Sequence, residues 1–152
     1  MLFGGKEMRR ILSFVVCCAA VMCLASCSFE IKASPAKEFI HCFALDLKET
    51  SVEMQSIYNS YGGIRGEGMA LYTVELDDSA KEKLKQWTNL PLSSEANDFL
   101  ESVSTYITIP EITEGTWKFV NNSGEGSYKI TNAELCIYDT EQGLAYWIKM
   151  DS

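Results

Sequence analysis

The feature that most constrains the fold is an apolar run near the N-terminus, because it takes a segment out of the folded part of the chain. Lys6, Arg9 and Arg10 give this end a positive charge, and residues 11–25 are uncharged and mostly apolar. A membrane-spanning helix needs about 20 apolar residues, and charge returns at Glu30. A basic start followed by a short apolar run is typical of a secretory signal peptide. We therefore expect this segment to be absent from the mature domain.

The apolar run ends in the sequence LASC at residues 24–27: a branched apolar residue, two small residues and a cysteine. Small residues before a scissile bond let the chain lie extended in a peptidase groove, and the thiol can accept a diacylglyceryl group. The pattern resembles the lipobox of bacterial lipoproteins. It implies cleavage between Ser26 and Cys27 and lipid, such as palmitate, on Cys27, with stable anchoring once two or three acyl chains are attached. An ordinary secretory signal and an uncleaved membrane helix are the alternatives.

The domain organisation follows from this interpretation. We predict a signal peptide over residues 1–26, a lipidated tether over 27–34 and one domain over 35–152, on the extracytoplasmic side of the cell membrane. The mature chain of 126 residues fits a single hydrophobic core. It is far shorter than the two-lobed solute-binding lipoproteins of transporters, which excludes that role.

Removal of the signal makes the chain more acidic. The signal carries three basic residues and Glu7, so the mature chain has ten Lys and Arg against twenty Asp and Glu, a net charge of −10. Such a chain repels phosphate backbones and anionic headgroups. We therefore expect no nucleic-acid partner, and the lipid on Cys27 must supply the attachment to the membrane.

The cysteine count also changes on processing. Three of the six cysteines leave with the signal and Cys27 carries lipid, so Cys42 and Cys136 remain. In an exported protein these two can form a disulfide, and their apolar neighbours equally suit buried free thiols. With His41 as the single histidine and no CxxC spacing, the chain cannot assemble a closed zinc shell. We predict no metal and no cofactor.

Hydrophobic periodicity predicts an α+β domain. Ser34 before Pro35 is typical of a helix start, and apolar residues at helical spacing extend that helix to about residue 47. The sequence DTEQG at 139–143 predicts a tight hairpin with positive φ at Gly143. The same patterns predict helices over about 77–87 and 94–103, and strands over 52–58, 69–76, 116–120, 128–138 and 144–150. We expect an antiparallel sheet of about five strands with two or three helices packed on one face.

A glycine-rich segment, SYGGIRGEG at residues 60–68, separates the first two predicted strands. No regular element tolerates this composition well, and the segment lacks the GK[ST] ending of a phosphate-binding loop. We interpret it as a turn and bulge, with Tyr61, Arg65 and Glu67 as candidate recognition residues. Arg65 is the only basic residue for more than ten positions on either side, so an acidic partner group can dock there.

The chain also resembles a family of small, often exported bacterial proteins of uncharacterised activity. Those proteins share an HGGFHGDG-like loop, a tryptophan followed by LPLS or LPLT, and a terminal IYDT hairpin. Tyr61 and Arg65 stand where the family has histidines, and Glu67 where it has aspartate, so the resemblance implies no metal or acid-base role for this loop. The matching stretches are SYGGIRGEG at 60–68, KQWTNLPLS at 85–93 and AELCIYDTEQGLAYWIKMD at 133–151.

The leading hypothesis for function is a non-catalytic, membrane-anchored domain that binds a protein or another envelope component. The chain has no GxSxG, no HExxH and no Cys/His pair typical of an activated nucleophile. A small hydrolase would need carboxylate pairs, such as Glu67 with Glu75 or Asp77. A structural envelope lipoprotein is the third hypothesis. We interpret the aromatic residues first as packing and second as a recognition platform: Trp87, Trp117, Trp147, Tyr128, Tyr138 and Tyr146.

Overall fold

The structure is a computed structural model that describes residues 33–62, 66–124 and 129–152. The predicted signal peptide, the cleavage site at Ser26 and the lipid-attachment site Cys27 lie outside the described residues, as do Arg65 and Tyr128. Residues from Ala33 to Ser152 form one compact unit. None of the helices in this part of the chain has the length and apolar character needed to cross a membrane.

The described residues of this unit form three α-helices and six strands. Helix α1 is Pro35–Cys42, α2 is Asp78–Leu84 and α3 is Ser94–Val103, and a short 3-10 turn covers Glu49–Ser51. The strands are β1 (Val52–Asn59), β2 (Gly68–Leu76), β3 (Thr88–Asn89), β4 (Gly115–Asn121), β5 (Asn132–Asp139) and β6 (Leu144–Asp151). They form one sheet in the order β1-β2-β6-β5-β4-β3, and every neighbouring pair is antiparallel.

This architecture confirms the α+β class and the antiparallel sheet, with one strand more than expected. The additional strand is β3, in which Thr88 pairs with Trp117 and Asn89 with Thr116. A strand of two residues has no alternating pattern that a sequence can reveal. The sequence therefore predicts no element between the helices over 77–87 and 94–103.

Side-chain caps explain where the helices begin. Ser34 Oγ accepts a hydrogen bond from the Lys37 amide at 3.2 Å, Asp77 Oδ1 from Ala80 at 2.8 Å, and Ser93 Oγ from Ala96 at 3.2 Å. Each cap satisfies one of the free amides at a helix start. These polar residues therefore fix the position of each helix relative to the sheet.

Helix α1 ends five residues earlier than the apolar spacing predicted. Ala44 has φ of 50°, and the Leu45 amide donates to the Ile40 carbonyl at 2.9 Å. A residue with positive φ and such a bond are typical of a helix C-terminus. The apolar residues that follow still pack in the core, but they do so from an extended segment.

Hydrophobic side chains pack on both faces of the sheet. Along β5, Cys136 and Tyr138 belong to the core cluster that contains α1 and α2, whereas Leu135 and Ile137 belong to the cluster that contains α3. Successive side chains of a strand point to opposite faces. The helices therefore cover both faces, which we call the α1–α2 face and the α3 face, and the prediction that they pack on one face is wrong.

The reason lies in the two central strands. Residues 135–138 of β5 and 145–148 of β6 are buried at every position, so neither strand has a polar side to leave in water. A sheet with apolar side chains on both faces needs a layer of covering structure on each. In the sequence, the unbroken apolar runs LCIY at 135–138 and AYWI at 145–148 indicate that both faces of the sheet are covered.

The β5–β6 hairpin closes as predicted. Asp139 Oδ1 accepts hydrogen bonds from the amides of Glu141 and Gln142, both at 2.9 Å, and Gly143 has φ of 68°. The left-handed conformation suits glycine, which has no Cβ to collide with the backbone. The tight turn places β5 and β6 side by side at the centre of the sheet.

Candidate functional site

The structure separates the two described residues of the predicted recognition loop. The Tyr61 ring lies against the α1–α2 face, where Lys149 Nζ is 4.9 Å from its centroid. A Cβ on Gly68 would come within 2.5 Å of the Tyr61 Cα, so glycine at this position permits the close approach. Glu67 is exposed and lines a different cleft, together with Tyr106. Arg65, the third candidate, lies outside the described residues.

Lys149 is the centre of a charged and aromatic cluster on the α1–α2 face. Its ammonium forms an ion pair with Glu38 of α1 and lies 5.5 Å from the centroid of the Trp147 ring. The Lys149 side chain is only 15% exposed. A cation placed over aromatic rings and beside a carboxylate is held by both attractions. This cluster therefore joins α1 to the sheet and leaves no free cation for a ligand.

The neighbouring polar groups also satisfy one another. Trp147 Nε1 donates to Glu134 Oε2 at 2.9 Å, and Glu134 lines the same cleft as Cys42. Burial raises the pKa of the Cys42 thiol, and Glu134 raises it further. Burial likewise raises the pKa of Cys136. Only a thiolate acts as a nucleophile, so these cysteines are not suited to that role.

Cys42 and Cys136 are free thiols in the structure, so the disulfide weighed from the sequence is not formed there. Cys42 lines a cleft of about 400 Å³ beside the exposed His41. Within residues 33–62, 66–124 and 129–152, no three His, Cys, Asp or Glu side chains are placed to hold a metal ion.

The carboxylate pairs of the hydrolase hypothesis do not meet. Glu67 precedes β2 and Asp77 follows it, and a strand rises about 3.3 Å per residue. The two carboxylates are therefore separated by roughly 30 Å along the strand, far beyond the ~10 Å limit for paired catalytic carboxylates. Asp77 instead caps α2, and hydrogen bonds from Ser51 and the Ala80 amide lower its pKa.

Most of the aromatic residues are packing residues. Trp147, Tyr138 and Tyr146 are buried, and the Trp147 ring stacks on Tyr72 with 5.1 Å between centroids. Trp117 is half-buried. For the described aromatic residues of the central strands, the interpretation as packing residues is confirmed. Their interpretation as a continuous recognition platform is not confirmed.

One cavity among the described residues lies on the α3 face. It has a volume of about 520 Å³, and we call it the α3 groove. Its floor is Ile137 of β5, one side is formed by residues 90–92 with Asn97 and Leu100 of α3, and the other side is residues 109–113. Apolar side chains dominate the lining, and Asn97, Glu111 and Thr113 supply polar groups.

The elements around the groove are fixed by their own contacts. Trp117 Nε1 donates to the carbonyls of Asn89 and Pro91, at 3.1 and 3.2 Å, and the Leu90 amide donates to the Gly115 carbonyl at 3.0 Å. A Cβ on Gly115 would lie 2.3 Å from the Tyr138 carbonyl oxygen, so this position requires glycine. Residues 89–91 are thereby held against β4, so this part of the groove lining is fixed by contacts within the protein.

Helix α3 is anchored from below by fully buried side chains. Ala96, Phe99 and Val103 pack into the core of the α3 face, and the Phe99 ring lies 5.4 Å from Phe119. Leu100 lies beside these residues at the groove and is only half-buried. The helix therefore presents Leu100 from a rigid support.

Comparison with family models, with curated proteins and with solved structures finds no match to this chain. The α3 groove must therefore be interpreted from its own chemistry. Sequence reasoning misses the groove, because residues 90–92 and 109–113 lie outside the predicted helices and strands. The available signal was the apolar residues beside Pro91 and Pro110 in segments without helical or strand periodicity.

Proposed function

We propose that the protein is a bacterial lipoprotein, anchored to the cell membrane through lipid on Cys27, whose extracytoplasmic domain is a non-catalytic binding module. The ligand site of this module is the α3 groove. The LASC sequence supports the anchoring, and the groove supports the binding role. The tether to residue 34 is short, so the domain acts close to the membrane on a partner that reaches it.

The observation that carries the binding role is the α3 groove itself. Ligand pockets are concave, about 300–1,000 Å³ in volume, and mostly apolar with a few polar groups. The α3 groove, at about 520 Å³ with Ile137 as its floor and Asn97 and Glu111 at its sides, has these properties. The Lys149 cluster does not, because its charges and donors are paired with one another.

Site-specific photocrosslinking on intact cells tests the binding role. A benzophenone amino acid replaces Leu100 in the groove or, as the control, Glu82 on the exposed surface of α2. We expect discrete crosslinked adducts from position 100 that are absent from position 82. Equal adducts from both positions, or none from position 100, would contradict a ligand site in the groove and favour a purely structural envelope protein.

Metabolic labelling with a palmitate analogue tests the anchor separately. We expect label on the wild-type chain and none on Cys27→Ala, which should also keep its signal peptide as a precursor. An unlabelled wild-type chain would contradict the lipoprotein proposal. It would leave the groove experiment unaffected, because that experiment reports only on the folded domain.

A further inference from the structure

We infer that the ligand of the α3 groove is an extended peptide segment of a partner protein, in which apolar residues alternate with basic ones. This inference rests on the proposed function and names the chemical class of the ligand. Two properties of the groove support this inference. The backbone along 108–113 forms no hydrogen bonds within the described residues, and the charged residues of the segments that line the groove are all acidic.

The backbone from 108 to 113 is free to pair with another chain. Within the described residues, none of its amides or carbonyls forms a hydrogen bond with another backbone group or with a side chain. Pro110 has no amide hydrogen, so the other five residues of this stretch supply the donors. An extended peptide recognised by strand addition uses such groups for affinity and neighbouring pockets for specificity.

The apolar lining complements the same kind of ligand. An extended chain directs alternate side chains to one side, so a peptide lying along 109–113 would place every second residue toward Ile137 and Leu100. These two residues lie at the floor and the α3 side of the groove. The remaining side chains of the peptide would point to the rim.

Glu111 lines the groove, and the segment that supplies most of the lining carries charge of one sign. Residues 86–117 contain five acidic residues and no lysine, arginine or histidine. All five are exposed, and none forms an ion pair within the described residues: Glu95, Asp98, Glu101, Glu111 and Glu114. An uncompensated acidic surface attracts basic partners and repels acidic ones, so the outward side chains of the peptide are expected to be lysine or arginine.

A small apolar molecule or a lipid chain is the competing ligand, and it suits the groove less well. Such a ligand offers no partners to the free amides of 108–113 and no counter-charge to Glu111. It would be bound by the apolar lining alone. The experiment below distinguishes it from a peptide.

Selection from a random library tests the inference. The full-length protein, in nanodiscs of zwitterionic lipid, is used to select from a display library of random decapeptides. We expect enriched sequences in which aliphatic residues alternate with lysine or arginine. A synthetic peptide of an enriched sequence should bind at least tenfold more weakly to Leu100→Gln and severalfold more weakly to Glu111→Gln. Glu82→Gln, on α2, is the matched charge control and should bind as the wild type does.

Backbone pairing is tested with the same peptide methylated at alternate amide nitrogens. We expect one of the two methylation registers to weaken binding at least tenfold, because methylation removes the donors that face 108–113. Equal binding of both methylated forms would overturn the inference, as would enriched peptides without basic residues. Ile112→Gln is a second groove variant, used if circular dichroism shows that Leu100→Gln does not fold.

The failures of the two proposals are distinguishable. Adducts from position 100 on cells, together with no groove-dependent peptide in the library, would overturn the peptide inference and leave the binding role standing. Binding of an apolar small molecule that depends on the groove residues would likewise overturn the peptide inference and leave the binding role standing. If position 100 also gives no adducts, both the peptide inference and the proposed binding role fail.

Discussion

The two faces of the sheet differ in how they are covered. On the α1–α2 face, two helices and the Lys149 cluster cover Trp147, which is fully buried. The cleft beside His41 on this face is lined by Glu38 and Glu134, whose carboxylates are paired with Lys149 and Trp147. On the α3 face, one helix and the segment over 104–114 cover the strands, and the α3 groove remains open with Ile137 as its floor. Both faces belong to the same central strands. Among the described residues, the α3 groove combines a mostly apolar lining with a backbone segment, 108–113, that forms no hydrogen bonds.

This difference separates stability from recognition. Polar groups on the α1–α2 face are paired within the protein, as Trp147 is with Glu134, so substitutions there should mainly change the free energy of unfolding. Leu90, Leu92, Leu100, Ile109 and Ile112 of the groove are half-buried, and the backbone at 108–113 forms no hydrogen bond within the described residues. Substitutions there should mainly change binding.

The largest effect is expected from truncating Trp147 to alanine. This side chain packs edge-on against Phe39 at 5.5 Å and stacks on Tyr72, and removing a buried aromatic side chain costs about 3–5 kcal/mol. The matched change, Leu100→Ala in the groove, removes a half-buried side chain and should cost about 1 kcal/mol. Urea unfolding followed by circular dichroism measures both. Equal losses would contradict the division between the faces.

A smaller effect is expected from Lys149→Ala. The Lys149 side chain is 15% exposed and its partner Glu38 is 42% exposed, so the pair lies between a buried and a surface ion pair and its loss should cost about 1–2 kcal/mol. Lys85→Ala removes a surface pair with Glu82 and should cost less than Lys149→Ala does. If Lys85→Ala is the more destabilising of the two in urea unfolding, the cluster does not hold α1 to the sheet.

The smallest effect concerns pH and the α2 cap. Hydrogen bonds lower the pKa of Asp77 in the folded protein, so its contribution to stability is present above the unfolded pKa of about 3.9 and is lost as the pH falls through the lower, folded value. Asp77→Asn keeps an acceptor and does not titrate. The stability difference between wild type and Asp77→Asn should therefore shrink between pH 6 and pH 3.

Ser93→Ala is the control for this prediction, because Ser93 caps α3 without a charge. Its effect on the free energy of unfolding should not follow the titration of Asp77. If both variants show the same pH dependence, the charge of Asp77 contributes nothing beyond its role as an acceptor.

The sequence was most informative where one local rule decides the structure. Ser34, Asp77 and Gly143 marked two helix starts and the hairpin, because caps and positive φ depend on neighbouring residues alone. It was misleading where non-local packing decides. The end of α1 at Cys42 and the covering of both faces depend on how apolar residues distribute between the two layers.

The candidate site was harder to predict for a related reason. Tyr61 and Glu67 are six residues apart in the sequence, but the structure places them in different surroundings. The groove forms from segments near residues 90, 100, 110 and 137, which no sequence spacing brings together. Apolar residues within irregular segments were the only sequence signal, and such residues are equally common in ordinary core packing.

Hydrogen exchange with and without an enriched peptide tests the central claim most directly. The full-length protein in nanodiscs is labelled in D₂O, and peptide fragments are compared by mass spectrometry. We predict that bound peptide slows exchange of the amides at 108–113 and leaves the helix α1 amides unchanged. If the peptide slows exchange on the α1–α2 face and does not slow it at 108–113, the assignment of recognition to the α3 face is contradicted.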